Sequence, residues 1–245
     1  MSETAEIVLP TTKIKSVKKD PSKLVLYAPP KMGKTTVVAE LENNLLIDLE
    51  NGSEYVDAMK VQANSLNELM DIAKAIEEAG KPYKFITIDT ITKLEEMVLP
   101  LALKLYKATP MGKNFKGSDV LILPNGAGYL YLRKAFLKVL ARLESLADNV
   151  ILIGHLKDKM INSKGKEVNA KDLDLTGKLK SIVCADADAI GYLHRDGNKT
   201  LVNFASSDEV LCGSRCNHLR GKEVTLAEGD DNGNIKVDWS QIYID

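Results

Sequence analysis

Apolar residues change their spacing several times along this chain, and each change marks an element. Leu24-Val25-Leu26-Tyr27 is a short apolar run that predicts a strand, and a helix is expected over 35–41. Leu45-Leu46-Ile47-Asp48 predicts a second strand. Apolar residues at 66, 69, 72, 73 and 76 have the spacing of one helix face, closed by Gly80. Phe85-Ile86-Thr87-Ile88 predicts a third strand, helices are expected across 91–106 and 129–147, and Val150-Ile151-Leu152-Ile153 predicts a fourth strand. This alternation implies βαβ units, a parallel sheet and helices on both faces. Beyond about residue 180 the pattern becomes short β-like runs (189–194, 199–204, 222–227, 234–238) separated by Gly, Asp and Asn turns. The expected fold class is α/β: a mostly parallel sheet flanked by helices, with antiparallel C-terminal edge strands.

Three stretches stand outside that pattern. Residues 1–20 join an apolar patch (Ile7, Val8, Leu9) to Lys13, Lys15, Lys18 and Lys19, and are expected to form an N-terminal arm before a single domain over 21–245. The segments 107–128 and 156–180 are long and rich in Lys, Gly, Asn and Asp, and read as loops. Loops of that length inside a compact domain are usually functional or disordered.

Composition narrows the class. A 44% hydrophobic and 27% charged chain of 245 residues suits one soluble globular domain. No apolar run approaches the roughly 18 residues of a membrane-spanning helix, and the first thirty residues lack a secretory signature. Three cysteines (Cys184, Cys212, Cys216) are too few and too unevenly spaced for a disulfide framework, so a reducing cytoplasm is the expected location. With a formal net charge of −1, any nucleic-acid site must be a local patch.

Ala28-Pro29-Pro30-Lys31-Met32-Gly33-Lys34-Thr35-Thr36 fits G-x-x-x-x-G-K-[ST] except for alanine at the first position. Such a loop curls backbone N–H groups round phosphates and opens a helix whose N-terminus favours negative charge. Lys34 is expected on the β- and γ-phosphates of ATP, Thr35 on Mg²⁺, and Lys31 as a second phosphate contact. The first glycine eases a tight turn that alanine can adopt, so Ala28 is a mild departure. An acid at the tip of another strand should hold the metal's water shell, and Asp89 supplies it. Glu50, at the end of the second strand, is the candidate base for the attacking water, with Asp48 as understudy at the opposite strand parity. His155 follows the fourth strand, where a polar side chain can touch the γ-phosphate and report it to the segment beyond.

With these pieces in order, the chain resembles the RecA-type recombinase ATPases. It is most similar to the short, core-only members encoded by bacteriophages that act as single-strand annealing proteins. The resemblance covers roughly residues 22–200. Ile47-Asp48-Leu49-Glu50 looks like the family's strand ending in the catalytic glutamate, and Ile86-Thr87-Ile88-Asp89-Thr90 like its metal-aspartate strand. Leu152-Ile153-Gly154-His155-Leu156-Lys157 resembles the strand whose terminal polar residue senses the γ-phosphate. The resemblance implies a RecA-like P-loop core, ATP and Mg²⁺ as cofactors, and a homo-oligomer, ring or filament, with ATP hydrolysed at the subunit interface. It also implies single-stranded DNA bound by two loops, here 107–128 and 156–180, with a single-stranded-DNA-binding protein as a further partner and no membrane. If phage-encoded, the protein would act in the host cytoplasm.

The first loop sets Lys107, Lys113 and Lys116 against Asp119. The second sets Lys157, Lys159, Lys164, Lys166, Lys171, Lys178 and Lys180 against Asp158, Glu167, Asp172 and Asp174. Such local excess suits phosphate contacts and salt-sensitive binding. The family also completes each ATP site with a basic residue from the adjacent subunit, for which Arg215 and Arg220 are candidates.

Departures shape the expectation. Neither an N-terminal DNA-binding domain nor a long C-terminal tail is expected, and 5% aromatic content leaves few stacking platforms for bases. Tyr129 and Tyr131 would stack on bases or pack in the core. Annealing or single-strand binding is therefore expected over strand exchange. The rival reading is a RecA-fold regulatory or loader ATPase acting on a protein partner, and a small-molecule kinase ranks last. Cys212, Cys216 and His218 offer three zinc ligands without a fourth. Trp239 and Tyr243 are expected to anchor the C-terminus by packing.

Overall fold

The apolar runs become the middle of one sheet in the computed structural model, which describes residues 9–163 and 166–244, with the backbone alone at 161–163 and 166–168. The elements run β1 (Lys23–Ala28), α1 (Lys34–Ala39), β2 (Asn44–Asp48), β3 (Lys60–Gln62), α2 (Leu66–Glu78) and β4 (Phe85–Asp89). There follow α3 (Ile91–Met97), α4 (Leu99–Lys107), α5 (Ala127–Glu144), β5 (Asn149–Ser163), β6 (Lys166–Leu173) and α6 (Lys178–Asp186). The chain closes with β7 (Ala189–Asp196), β8 (Lys199–Asn203), β9 (Gly213–Ser214), β10 (Glu223–Gly229) and β11 (Ile235–Val237).

Strand order is β11-β10-β8-β7-β1-β5-β4-β2-β3. From β7 to β3 every neighbouring pair is parallel, and from β7 to β11 the pairs are antiparallel. The expected fold class is the observed one. Pleating divides the strand residues between two apolar layers. Val25, Tyr27, Ile47, Ile86, Ile88 and Leu152 face α2, α3 and α5. Leu24, Leu26, Leu46, Ile151, Ile153 and Leu193 face Val37 and Val38 of α1 and the C-terminal Trp239 and Ile242. The Trp239 indole N–H donates to Val37 O at 2.9 Å, and Tyr243 meets the Phe85 ring edge-on at 4.7 Å, which anchors the C-terminus.

The structure differs from the sequence reading in four places. The helix expected over 91–106 is two, α3 and α4, broken at Val98 just before Pro100, whose missing N–H and ring disfavour a continuous helix. The strand β3 carries no apolar run to announce it. The segment 107–128 is partly structured, because α5 begins at 127, Val120 and Leu123 are buried, and Phe115 packs on Tyr106 at 5.4 Å.

The segment 156–180 is not a loop. There β5 continues past the sheet and returns as β6, in register from Leu156↔Leu173 to Ser163↔Lys166, and α6 follows. Among its lysines, Lys164 and the side chain of Lys166 lie outside the described residues, as do Ile7 and Val8 of the arm. Among the described residues no helix is long and apolar enough to cross a membrane.

Candidate active site

The strand β1 ends at Ala28, and the chain turns over 29–33 into α1. Ala28 still pairs in register with His155 and keeps ordinary strand geometry, so its position does not require glycine. Gly33 does, because its φ of 86° is a left-handed conformation that a side chain would strain. Lys31 adopts φ 62° in the same turn. Among the loop residues, Ala28 is buried and Met32 packs against the apolar layer around α1. Lys34 is only 7% exposed, and its ammonium donates to the carbonyls of Ala28 (3.2 Å) and Pro29 (2.9 Å). Burial pushes its pKa down, opposed by the nearby Asp89 and Glu50 carboxylates.

Parallel register brings the acids to the same end of the sheet, with Asp89 beside Asp48 on one flank and Ile153 on the other. The Thr35 hydroxyl donates to Asp89 Oδ2 at 2.7 Å. Burial, with Asp48 and Glu50 adding to it, pushes the Asp89 carboxyl above its usual range; Thr35 and Lys34 oppose the shift. Two hard oxygen donors beside the buried lysine fit a divalent cation such as Mg²⁺, which takes few protein ligands and keeps most of its waters.

The choice between Asp48 and Glu50 is geometric. Asp48 accepts the backbone N–H groups of Glu50 (2.9 Å) and Ser53 (2.8 Å), so its carboxylate is spent on the turn that follows β2. Burial alone would raise its pKa, but hydrogen bonds from Ser53, Glu50 and Gly52 outweigh that and hold it low. Glu50 reaches across instead. Its Oε1 accepts the Thr90 hydroxyl at 2.7 Å, and the His155 Nε2 lies 2.9 and 3.1 Å from its two oxygens. Since a carboxylate only accepts, Nε2–H donates to Glu50, and Nδ1 is buried and without a partner among the described residues. Thr90 also caps α3 through Lys93 N–H at 3.1 Å, and the His155 N–H donates to Thr92 Oγ1 at 3.1 Å.

Lys34, Thr35, Asp48, Glu50, Asp89 and His155 line a cavity of about 470 Å³ together with Pro30, Lys31, Gly33, Thr36, Gly52 and Val56. One further lining residue, Arg195 on β7, was absent from the sequence reading. The run 189–194 was legible as a strand, but nothing in it shows that β7 lies beside β1, and that adjacency alone brings Arg195 to the loop.

Other candidates lie elsewhere. Arg215 does not reach this cavity in its own chain. It donates to Ala185 O, stands 3.9 Å from Asp188, and lines a second cavity with Lys18, Lys23 and Asp186 at the opposite end of the parallel strands. Arg220 donates to the carbonyl of Arg215 at 3.1 Å. Lys107, Lys113 and Lys116 are exposed and have no ion pair with any described residue. Three of the five second-segment lysines whose side chains are described are paired, Lys157 with Asp174 (3.0 Å), Lys171 with Asp158 (2.9 Å) and Lys180 with Asp172, whereas Lys178 is exposed and has no ion pair with any described residue. Lys159 is exposed and has no ion pair with any described residue. Tyr131 packs on Tyr106 at 5.2 Å, whereas Tyr129 is half-exposed.

A family model described as AAA domain matches residues 20–216. No curated protein matches the sequence. Among solved structures, the RadB recombinase aligns over 90% of this chain and 92% of its own, with 13% identity and a TM-score of 0.46. A KaiC-like protein from the hyperthermophilic archaeon Pyrococcus horikoshii aligns over 88% of each chain, with 17% identity and a TM-score of 0.44. At these scores the likeness assigns neither activity nor partner.

Proposed function

This chain belongs to the AAA domain family, and we propose that it is a Mg²⁺-dependent ATPase whose site is the cavity between the phosphate loop and the strand ends. The carrying observation is the joining of Thr35 to Asp89 at 2.7 Å beside the buried Lys34, with Glu50 held by Thr90 and His155 across the same cavity. Thr35 and Asp89 would hold Mg²⁺, which when bound offsets the charge of the phosphates. Lys34 exchanges two neutral carbonyls for phosphate oxygens, a stronger charge-assisted contact. Glu50 orients the attacking water and takes its proton, its carboxylate fixed by Thr90 and His155. The test is ATP hydrolysis with and without Mg²⁺ in the wild type, Lys34→Ala and Glu50→Gln. Loss of activity in both variants, with ATP still bound by Glu50→Gln, supports the reading; full activity in Lys34→Ala sinks it.

The partner we propose is single-stranded DNA, in a phage-type annealing role within the cytoplasm. Copies of the 21–245 domain would assemble, with residues 1–20 as the contact arm and Arg215 completing only a neighbour's site. Exposed Lys107, Lys113, Lys116 and Lys159 support phosphate contacts. His155 immediately precedes the β5–β6 arm, so a γ-phosphate that moves His155 would move the arm. A second reading, an ATPase acting on a protein partner, is favoured by the ion pairs that cancel Lys157, Lys171 and Lys180. Titrating labelled single-stranded DNA at about 50 and 200 mM salt separates them. Phosphate contacts lose affinity steeply with salt, and an ATP-independent, salt-insensitive result rejects the DNA reading.

A further inference from the structure

Among the described residues, Arg195 is the one side chain at the phosphate-loop cavity that comes from the far side of β1. The strands β2, β4 and β5, which carry Glu50, Asp89 and His155, lie to one side of β1, and β7 lies to the other. Register pairs Tyr27 with Tyr192, so β7 runs past the end of β1 and places Arg195 about 7 Å beyond the level of Ala28. Pleating puts Arg195 on the same face as Ala189 and Leu193, the face on which Val37 and Val38 of α1 pack. The guanidinium therefore lies over the junction of loop and helix, where a Cβ on Gly33 would sit 3.6 Å from Arg195 Nη2. The pairing Arg195↔Thr200 holds this backbone in the β7–β8 hairpin.

Two further observations point to an anionic ligand. Arg195 makes no ion pair or side-chain hydrogen bond with any described residue, whereas Arg142 pairs with Glu77 and Arg215 stands near Asp188. The cavity is also lined by three acids (Asp48, Glu50, Asp89) and three cations (Lys31, Lys34, Arg195). Without Arg195 the acids would outnumber the cations where a polyphosphate must enter.

We propose that Arg195 binds the inner phosphates of the nucleotide, those shared by di- and triphosphate, from its own chain. The inference rests on the nucleotide reading above and goes beyond it by dividing the phosphate chain between the two flanks of β1. Catalytic acids and His155 stand at the terminal-phosphate flank, and Arg195 stands at the other. A contact made equally in ground and transition states acts on affinity more than on turnover.

The test is titration of ADP and ATP, each with Mg²⁺, together with KM and kcat, for the wild type, Arg195→Ala, Arg195→Gln and Arg195→Lys. We expect Arg195→Ala to weaken both nucleotides about tenfold, the size of a lost charge-assisted hydrogen bond. KM should rise in parallel, kcat should change less than KM, and lysine should recover more of the affinity than glutamine. Melting of the nucleotide-free variants should stay within about 2 °C of wild type, since no described partner is lost. ADP affinity within about twofold of wild type overturns the inference, as does a loss confined to ATP, which would place Arg195 on the terminal phosphate. A wild-type protein that binds neither nucleotide ends the nucleotide reading and this inference together. Wild-type binding with unchanged Arg195 variants ends only the inference.

Discussion

The two ends of the parallel strands carry similar residues in opposite states. At the end where β1 begins, Asp188 accepts the backbone N–H groups of Ser22 (3.0 Å) and Lys23 (3.2 Å) and the Lys18 ammonium (2.8 Å), while Lys23 joins Glu144 (2.6 Å) and Asp186. At the end where β1 finishes, the buried Asp89 carboxylate accepts the Thr35 hydroxyl, Lys34 rests on carbonyls, and Arg195 is unpaired among the described residues. Charges at the first end satisfy one another, so they act on the fold. Those at the second lie near one another, but among the described residues only Glu50 has an ion-pair partner, His155, which leaves Lys34, Asp89 and Arg195 available to a ligand.

That contrast breaks most sharply on paired substitutions. Glu50→Gln should lower ATP hydrolysis by about 10²-fold or more, the scale of a lost general base, with melting little changed. Asp188→Ala should do the reverse. It strands two backbone donors and an ammonium, so it should cost about 2–3 kcal/mol and lower Tm by roughly 5–10 °C, with nucleotide affinity retained. Asp89→Asn should raise the Tm of the nucleotide-free protein, by about 2–4 °C for each kcal/mol of relieved burial penalty, while abolishing Mg²⁺-dependent hydrolysis.

Urea melts across about pH 3–7 sharpen the same comparison, because the two carboxyls shift in opposite directions. Burial would raise Asp188, but the contacts from Lys18, Lys23 and Ser22 outweigh it and depress its pKa. Its stabilisation is therefore present above the unfolded-state value and lost as pH falls through the folded one, so the deficit of Asp188→Asn should shrink in acid. Asp89 is raised, so its charged form opposes folding. Its favourable contribution lies below the unfolded-state value and is lost as pH rises through the folded one, so the gain of Asp89→Asn should grow toward neutrality. The smallest effect should come from Arg215→Ala. Its side chain is 63% exposed and 3.9 Å from Asp188, worth a few tenths of a kcal/mol and a Tm change of about 1 °C.

Legibility followed how local each feature is. The phosphate loop could be read directly because its strand, turn and Lys34-Thr35 pair are contiguous, and the strands at 24–27, 45–48, 85–88 and 150–153 announced themselves as buried runs. The β5–β6 arm escaped because the sequence over 157–172 is mostly polar and charged, so no apolar alternation marks the strands. The sequence favoured Glu50 over Asp48 as the base by its place after the second strand alone. The tertiary structure adds a contrast the sequence lacks, since the Asp48 carboxylate is spent on the backbone of Glu50 and Ser53.

By itself the amino-acid sequence determined the strand–helix alternation, the loop at 28–36 and the acid ending each of β2 and β4, since these follow from periodicity and from short contiguous motifs. Only the tertiary structure decided which arginine meets the loop. Arg195 and Arg215 both lie more than 150 residues from Lys34, and neither carries a local signal of its destination. The order of strands makes the choice, setting β7 against β1 so that one arginine overhangs the phosphate loop while the other sits at the far end of the sheet.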